Sequence, residues 1–188
     1  MKVKNKNLNS FIRLCFITVI CFLLGILSIA FNPTSSSYFV YSELYFDSFS
    51  ANNIMQFAFN ALKSCRLNIL LIILSLLSTF TFFCPAVVYS ITAFSGIVNG
   101  SCMALSCFSS TDLGIVFCIY TVVFTVLFVS FQACIILKFN LGFIDTRKQH
   151  NNRYFVSPIV ISFFKKIVFW MSLFIILHIL YCFIMYLI

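Results

Sequence analysis

Charged residues are scarce in this chain: they make up 9% of its 188 residues, whereas hydrophobic residues make up 62%. A soluble domain carries roughly 25% charged residues, and a chain of this length cannot hide so much apolar surface in a water-soluble core. Acids are the rarest charges, and all four lie between the long apolar blocks: Glu43, Asp47, Asp112 and Asp145. The composition therefore predicts a multi-span membrane protein. It argues against a proton or cation transporter, which usually places a carboxylate inside a span.

Sequence patterns of catalytic and metal sites are also absent. The chain shows no Ser–His–Asp arrangement, no HExxH, no phosphate-binding loop and no pair of acids inside an apolar block. Its nine cysteines are scattered without a CxxC spacing, so each is expected to behave as a small hydrophobic residue. The sequence predicts that the protein is not an enzyme and has no cofactor, metal site or disulfide framework.

The apolar blocks predict helices rather than barrel strands. Barrel strands alternate apolar and polar residues over about ten positions, whereas these blocks are continuous and longer. The uncharged stretch 67–111 would run roughly 67 Å as one helix, against about 30 Å for the bilayer core. Cys84-Pro85 interrupts it, and proline disrupts helical bonding. We expect an all-α integral membrane protein with about five transmembrane helices and a tight central helical hairpin. One kinked helix running into a re-entrant segment is the alternative.

A single membrane domain is expected to cover the whole chain. The predicted spans are 14–31, 67–83, 85–106, 113–137 and 167–188, with an outer segment 32–66 and a cytoplasmic loop 138–166. The first block could instead be a secretory signal, because Ser28-Ile29-Ala30 resembles a cleavage site, although its length favours retention as a helix. Ile54, Ala58 and Ala61 recur at helical spacing and predict a short amphipathic helix at the outer surface.

Basic residues set the predicted orientation of the spans. Four precede the first apolar block and six lie between the last two: Lys2, Lys4, Lys6, Arg13, Lys138, Arg147, Lys148, Arg153, Lys165 and Lys166. Since such residues favour the cytoplasmic side, five spans place the N-terminus inside and the C-terminus outside the cell membrane. Lys63 and Arg66 are exceptions on the outside. The net charge of +8 thus indicates orientation in a lipid bilayer and no nucleic-acid partner.

Small residues recur four apart in the second arm of the hairpin, at Thr92, Gly96, Gly100 and Ala104. Such a face lets another helix approach closely. Packing within the chain is the favoured interpretation, and a homo-oligomer contact is the alternative.

Four strongly polar residues fall inside predicted spans, namely Asn68, Asn99, Gln132 and His178. Polar groups are costly in lipid and tend to face the interior of the bundle. Asn99 and Gln132 lie in successive spans at similar depth, so we expect a hydrogen bond between them. A structural role is favoured over a ligand or ion site. The 26 phenylalanines are expected to face lipid.

Three short stretches and the order of the parts around them carry a family resemblance. Phe57-Ala-Phe-Asn-Ala-Leu-Lys63 precedes the second span, Phe83-Cys84-Pro85 interrupts the hairpin, and Gly96–Gly100 bears two glycines. In layout, nearly the whole chain resembles the stage II sporulation protein M family of small bacterial membrane proteins. It departs from that family at Phe131-Gln132-Ala133, where members often have Pro-Gln-Asn, and in a first span with Gly25 alone.

The resemblance implies a non-enzymatic scaffold or anchor. Sporulation members of the family hold a peptidoglycan-degrading complex during engulfment, with the stage II sporulation proteins D and P as partners. Peptidoglycan hydrolases or other membrane proteins are therefore the expected partners here. A membrane component of a transporter or export system, and a small immunity or stress membrane protein, are the alternatives.

Overall fold

Five helices account for nearly all of the residues that the computed structural model describes, which are 2–31, 54–109, 111–142 and 156–187. The helices are α1 (Lys2–Phe31), α2 (Ile54–Ser78), α3 (Cys84–Ser109), α4 (Thr111–Phe131) and α5 (Val156–Leu187). Helix α4 continues through a π-helical segment, Gln132–Leu137, and stays helical to residue 142. No strand occurs in these ranges. The predicted all-α membrane fold is confirmed.

Four of the helices are long and apolar enough to cross a membrane. The candidate spans are Asn9–Phe31, Cys84–Leu105, Ile115–Gly142 and Val160–Ile184. The apolar part of α2, Cys65–Ser78, is shorter and would cover roughly 21 Å of the ~30 Å bilayer core. Because α2 begins at Ile54, the separately predicted amphipathic helix and second span are one continuous helix. That helix ends at Ser78 instead of at residue 83.

The predicted helical hairpin is formed by α2 and α3. Residues 79–83 make the turn, in which the Thr81 amide donates to Ser78 O at 2.9 Å and the Cys84 amide donates to Thr81 O at 3.3 Å. Pro85 lies in the first turn of α3, where an amide has no helical acceptor and its absence costs little. The proline therefore starts the second arm of the hairpin, and the chain reverses direction just before it.

The two predicted connections around the basic residues are partly helical. Helix α1 includes the basic leader from Lys2 onward. Lys138 lies within the helical continuation of α4, and Lys165 and Lys166 lie on α5. The predicted cytoplasmic loop 138–166 is thus wrong at both ends, because α4 runs to residue 142 and α5 begins at Val156. The rest of that loop, and residues 32–53 of the outer segment, lie outside the described residues.

Aromatic side chains hold α4 against α5. Tyr120 stacks on Tyr181 with ring centroids 4.1 Å apart, and Phe139 stacks on Phe163 at 3.8 Å. Between these ends, Phe131 contacts Phe174 edge-on at 5.8 Å. Among the phenylalanines whose side chains the structure describes, seven are buried: Phe117, Phe124, Phe128, Phe131, Phe139, Phe163 and Phe174. The expectation that phenylalanine serves to face lipid is therefore wrong for these seven, since aromatic pairs stabilise this interface beyond their area alone.

Candidate functional site

The small-residue face of α3 packs against α1 of the same chain. A Cβ atom on Gly96 would lie 3.0 Å from Cys21 Cβ, and one on Gly100 would overlap Phe22 O. From the other side, a Cβ on Gly25 would lie 2.9 Å from the Ser101 amide nitrogen. The closest helix pair in the bundle is therefore α1 with α3, and the two arms of the hairpin pack less extensively against each other.

The remaining two residues of that stripe are also buried, with Thr92 1% and Ala104 6% exposed. Thr92 faces α4, and its hydroxyl proton is shared between Gln132 Oε1 and Val88 O. The stripe therefore serves two different helix contacts. Gly25, which the sequence analysis did not assign to packing, completes the contact with α1 because only a glycine allows such a close approach of the two backbones.

Gln132 is fully buried where α2, α3 and α4 meet. Its Nε2 donates to Ser75 Oγ on α2 at 3.3 Å, and its Oε1 accepts from the Thr92 hydroxyl on α3. The π-helical segment that begins at Gln132 contacts every other helix of the bundle. This single amide therefore joins three helices.

Asn99 makes a separate connection, from α3 to α4. Its Nδ2 donates to Thr125 Oγ1 at 3.1 Å and to Ser95 Oγ at 3.3 Å. The predicted hydrogen bond between Asn99 and Gln132 is thus wrong. Both residues are buried as expected. On α3, Asn99 lies seven positions, or about two helical turns, from Thr92, the partner of Gln132. On α4, Gln132 lies the same distance from Thr125, the partner of Asn99. Their amides consequently bond at different depths of the α3–α4 interface.

Asn68 and His178 belong to one cluster that spans α2, α4 and α5. Asn68 Nδ2 donates to the Tyr120 hydroxyl at 3.4 Å, and that hydroxyl lies 3.0 Å from His178 Nδ1. Cys182 Sγ lies 3.4 Å from His178 Nε2. Sequence reasoning did not single out Tyr120, because a hydroxyl on an aromatic ring gives no local sign of which helix it will reach.

Asn140 is a further polar residue that the sequence analysis missed, because it falls in the predicted loop. It is 1% exposed, and its Nδ2 donates to Thr79 O at 2.7 Å and to Thr81 O at 2.9 Å. Since α2 ends at Ser78, the Thr79 carbonyl has no helical amide to accept from. Asn140 supplies that donor and fastens the turn of the hairpin to the end of α4.

The π-helical segment explains how Gln132 and Asn140 both face inward. In a regular α-helix, eight residues turn through about 800°, which would leave the two side chains about 80° apart. A π-turn accommodates one extra residue and so removes about 100° of rotation. The two amides then lie within about 20° of each other. No feature of the sequence predicts this irregularity.

Four of the cysteines make side-chain contacts through sulfur, and one of these contacts is the bond from the Ser78 hydroxyl to Cys84 Sγ at 3.8 Å. Cys107 and Cys118, at the ends of α3 and α4 nearest their connection, have sulfur atoms 3.7 Å apart, and Cys182 contacts His178. All nine cysteines are free thiols. Within the described ranges, no three His, Cys, Asp or Glu residues gather closely enough to hold a metal ion.

The fold and this interior define a polytopic helical membrane protein whose polar side chains join its helices. No protein-family model, curated protein or solved structure matches the chain.

Proposed function

We propose that the chain is a non-enzymatic multi-pass membrane protein that acts as a scaffold or anchor for extracytoplasmic cell-wall-remodelling partners, as in sporulation engulfment. Peptidoglycan hydrolases are the proposed partners. The support from sequence is the resemblance in layout to the stage II sporulation protein M family, together with the sizeable polar and aromatic outer segment 32–66.

One structural observation supports a scaffold in particular. Each of the four polar residues predicted inside the bundle has a hydrogen-bond partner within the chain: Asn68 with Tyr120, Asn99 with Thr125, Gln132 with Ser75, and His178 with Tyr120. A transporter needs such groups to coordinate its substrate, whereas here they are occupied in joining helices. An interior of this kind suits a rigid platform that carries its binding surface elsewhere.

The proposed topology places the N-terminus in the cytoplasm and the C-terminus outside the cell membrane. We expect Ser36→Cys to react with a membrane-impermeant maleimide in intact cells, and Asn151→Cys to react only after permeabilisation. The reason is the excess of Lys and Arg beside Asn151, which favours the cytoplasmic side. Six native cysteines that are not buried would first be replaced, because they could react themselves: Cys15, Cys21, Cys65, Cys107, Cys118 and Cys134. Labelling of Asn151→Cys from outside would reject the topology.

A pair of variants separates the scaffold from a transporter. The double change Asn99→Leu and Gln132→Leu should leave partner recruitment intact, because three of the four hydroxyls that lose an amide partner, those of Ser75, Thr92 and Thr125, still donate to backbone carbonyls. Ser75 donates to Leu71 O at 2.8 Å and Thr125 to Thr121 O at 2.6 Å. Each change removes one partner of a separate contact, and a hydroxyl that still donates to a carbonyl of its own helix leaves no buried donor unsatisfied.

The matched variant replaces the outer stretch Ser42–Asn53 with a Gly/Ser linker and leaves the bundle unchanged. It should abolish recruitment, measured as co-purification of a peptidoglycan hydrolase or as localisation of that hydrolase to the division septum. Recruitment that survives the linker but fails in the double leucine variant would contradict the scaffold. It would favour a membrane component of a transporter or export system.

A further inference from the structure

A cleft of about 360 Å³ opens between α4 and α5 at the end of the bundle that holds the hairpin turn. It is lined by Cys134, Ile135, Lys138, Phe139, Ser162, Phe163 and Lys166. Helix α4 contributes Lys138 and α5 contributes Lys166, so each of the two walls of the cleft contains one lysine. The stacked rings of Phe139 and Phe163 form an apolar side between them.

The depth of this cleft matches the head-group region of a bilayer. The candidate span Ile115–Gly142 has 28 residues and Val160–Ile184 has 25. At ~1.5 Å per residue both exceed the ~30 Å hydrocarbon core by roughly 7 to 12 Å. Lys138 lies near the last residue of the first span and Lys166 near the first residues of the second. Both lysines are exposed, and their apolar stems allow the ammonium groups to reach the interface.

The charge in the sequence around the cleft is predominantly positive. In sequence, Glu43 and Asp47 fall between the end of α1 and the start of α2, and Asp112 falls at the start of α4, away from the helix ends that form the cleft. Asp145 is the only acid in residues 138–166, which contain six basic residues. Basic pockets between transmembrane helices attract anionic lipid head groups. An anion with an apolar body fits a cleft that has two cations and an aromatic side.

We propose that this cleft binds the phosphate of an anionic phospholipid. Lys138 and Lys166 pair with the phosphate from opposite walls, the Ser162 hydroxyl donates to a phosphate or glycerol oxygen, and the first methylenes of an acyl chain pack on Phe139 and Phe163. A lipid held there would tie α4 to α5 at the head-group level. This site is independent of the proposed partners on the other side of the membrane.

The single tryptophan of the chain, Trp170, supplies a built-in probe for this lipid. It lies four residues after Lys166 on α5, roughly 6 Å deeper in the membrane, and packs on Phe131 of α4. The full chain would be reconstituted in phosphatidylcholine bilayers that contain either brominated phosphatidylglycerol or brominated phosphatidylcholine at equal mole fraction. We expect the brominated anionic lipid to quench Trp170 fluorescence more strongly than the brominated phosphatidylcholine. The selectivity, which is the ratio of the apparent affinities for the two lipids, should fall about fivefold for each cleft lysine removed.

Lys165 provides the matched control, since it has the same charge and nearly the same depth but does not line the cleft. Lys138→Gln with Lys166→Gln should lose the selectivity, Lys165→Gln should keep it, and Lys138→Arg with Lys166→Arg should preserve it in a folded protein. Equal selectivity in the double glutamine variant, or equal loss in Lys165→Gln, would overturn the proposal in favour of unspecific surface charge. Inorganic phosphate would also be added and compared with chloride at the same ionic strength. If phosphate displaced the brominated anionic lipid more than chloride did, the proposal would be overturned in favour of a soluble phosphate.

Discussion

Alanine at Gly100 should separate α1 from α3 and lower the thermal resistance of the protein in detergent. A Cβ atom there would overlap Phe22 O and lie 2.9 Å from Phe22 C. These are backbone atoms, which cannot rotate away as the end of a flexible side chain can. Overpacking of a tight contact costs roughly 1 to 3 kcal/mol, and we expect the upper end of that range. The larger side chain of Gly100→Leu should cost more than this range and should reduce accumulation of the protein in membranes.

A glycine series on the same chain controls for the change in helix propensity. Gly25→Ala should resemble Gly100→Ala, because its Cβ would overlap Ile97 O. Gly96→Ala should cost less, since its nearest contact is Cys21 Cβ at 3.0 Å. Gly142→Ala meets nothing within 4 Å and should be neutral or stabilising by about 0.5 to 1 kcal/mol. The measurement is the midpoint of thermal unfolding in one detergent. Similar midpoints for Gly100→Ala and Gly142→Ala would contradict the close approach of α1 and α3.

The fold class and the hairpin could be predicted because they depend on local chemistry. Lipid requires internally paired backbone, and Pro85 cannot sit in a helix interior, so the uncharged stretch had to divide near it. The ends of the helices were less predictable. If a charge is taken to end a span, Lys138 and Lys166 fall in a loop. A lysine stem can instead extend along a helix and bring its charge to the interface, so α4 and α5 continue past these residues.

The burial of Asn99, Gln132 and the other two interior residues followed from the cost of polar groups in lipid, but their partners did not. Partner choice depends on how each helix is rotated about its axis. The π-helical segment changes that rotation between Gln132 and Asn140, and no residue announces it. Likewise, Thr92 lies on the glycine stripe by spacing, yet its hydroxyl bonds to Gln132 of the helix that follows.

Leucine at Asn140 should release the turn of the hairpin. The substitution removes both donors that Nδ2 supplies, and it leaves the Thr79 carbonyl, past the end of α2, without its hydrogen bond. An unsatisfied buried acceptor costs about 1 to 3 kcal/mol. The turn bears Phe80, Phe82 and Phe83, whose side chains are exposed. We therefore expect the variant in detergent to have a lower midpoint of thermal unfolding. Chymotrypsin, which cuts after phenylalanine, should also cleave it faster within residues 79–83.

Asn99→Leu is the matched control, since it makes the same substitution at another buried asparagine. Its partner Thr125 keeps a backbone acceptor, Thr121 O at 2.6 Å. The Ser95 hydroxyl loses the Asn99 amide, but the turn of the hairpin keeps its bonds to Asn140. Asn140→Asp adds a second comparison with nearly the same shape but without the two amide donors, and it should also release the turn. If the Asn140 amide holds the turn, cleavage should be rapid in Asn140→Leu and Asn140→Asp and slow in Asn99→Leu. If all three variants were cut at the rate of the parent chain, the turn would be held by the aromatic contacts of Phe80 with Phe139 and Phe163, and the amide would be dispensable.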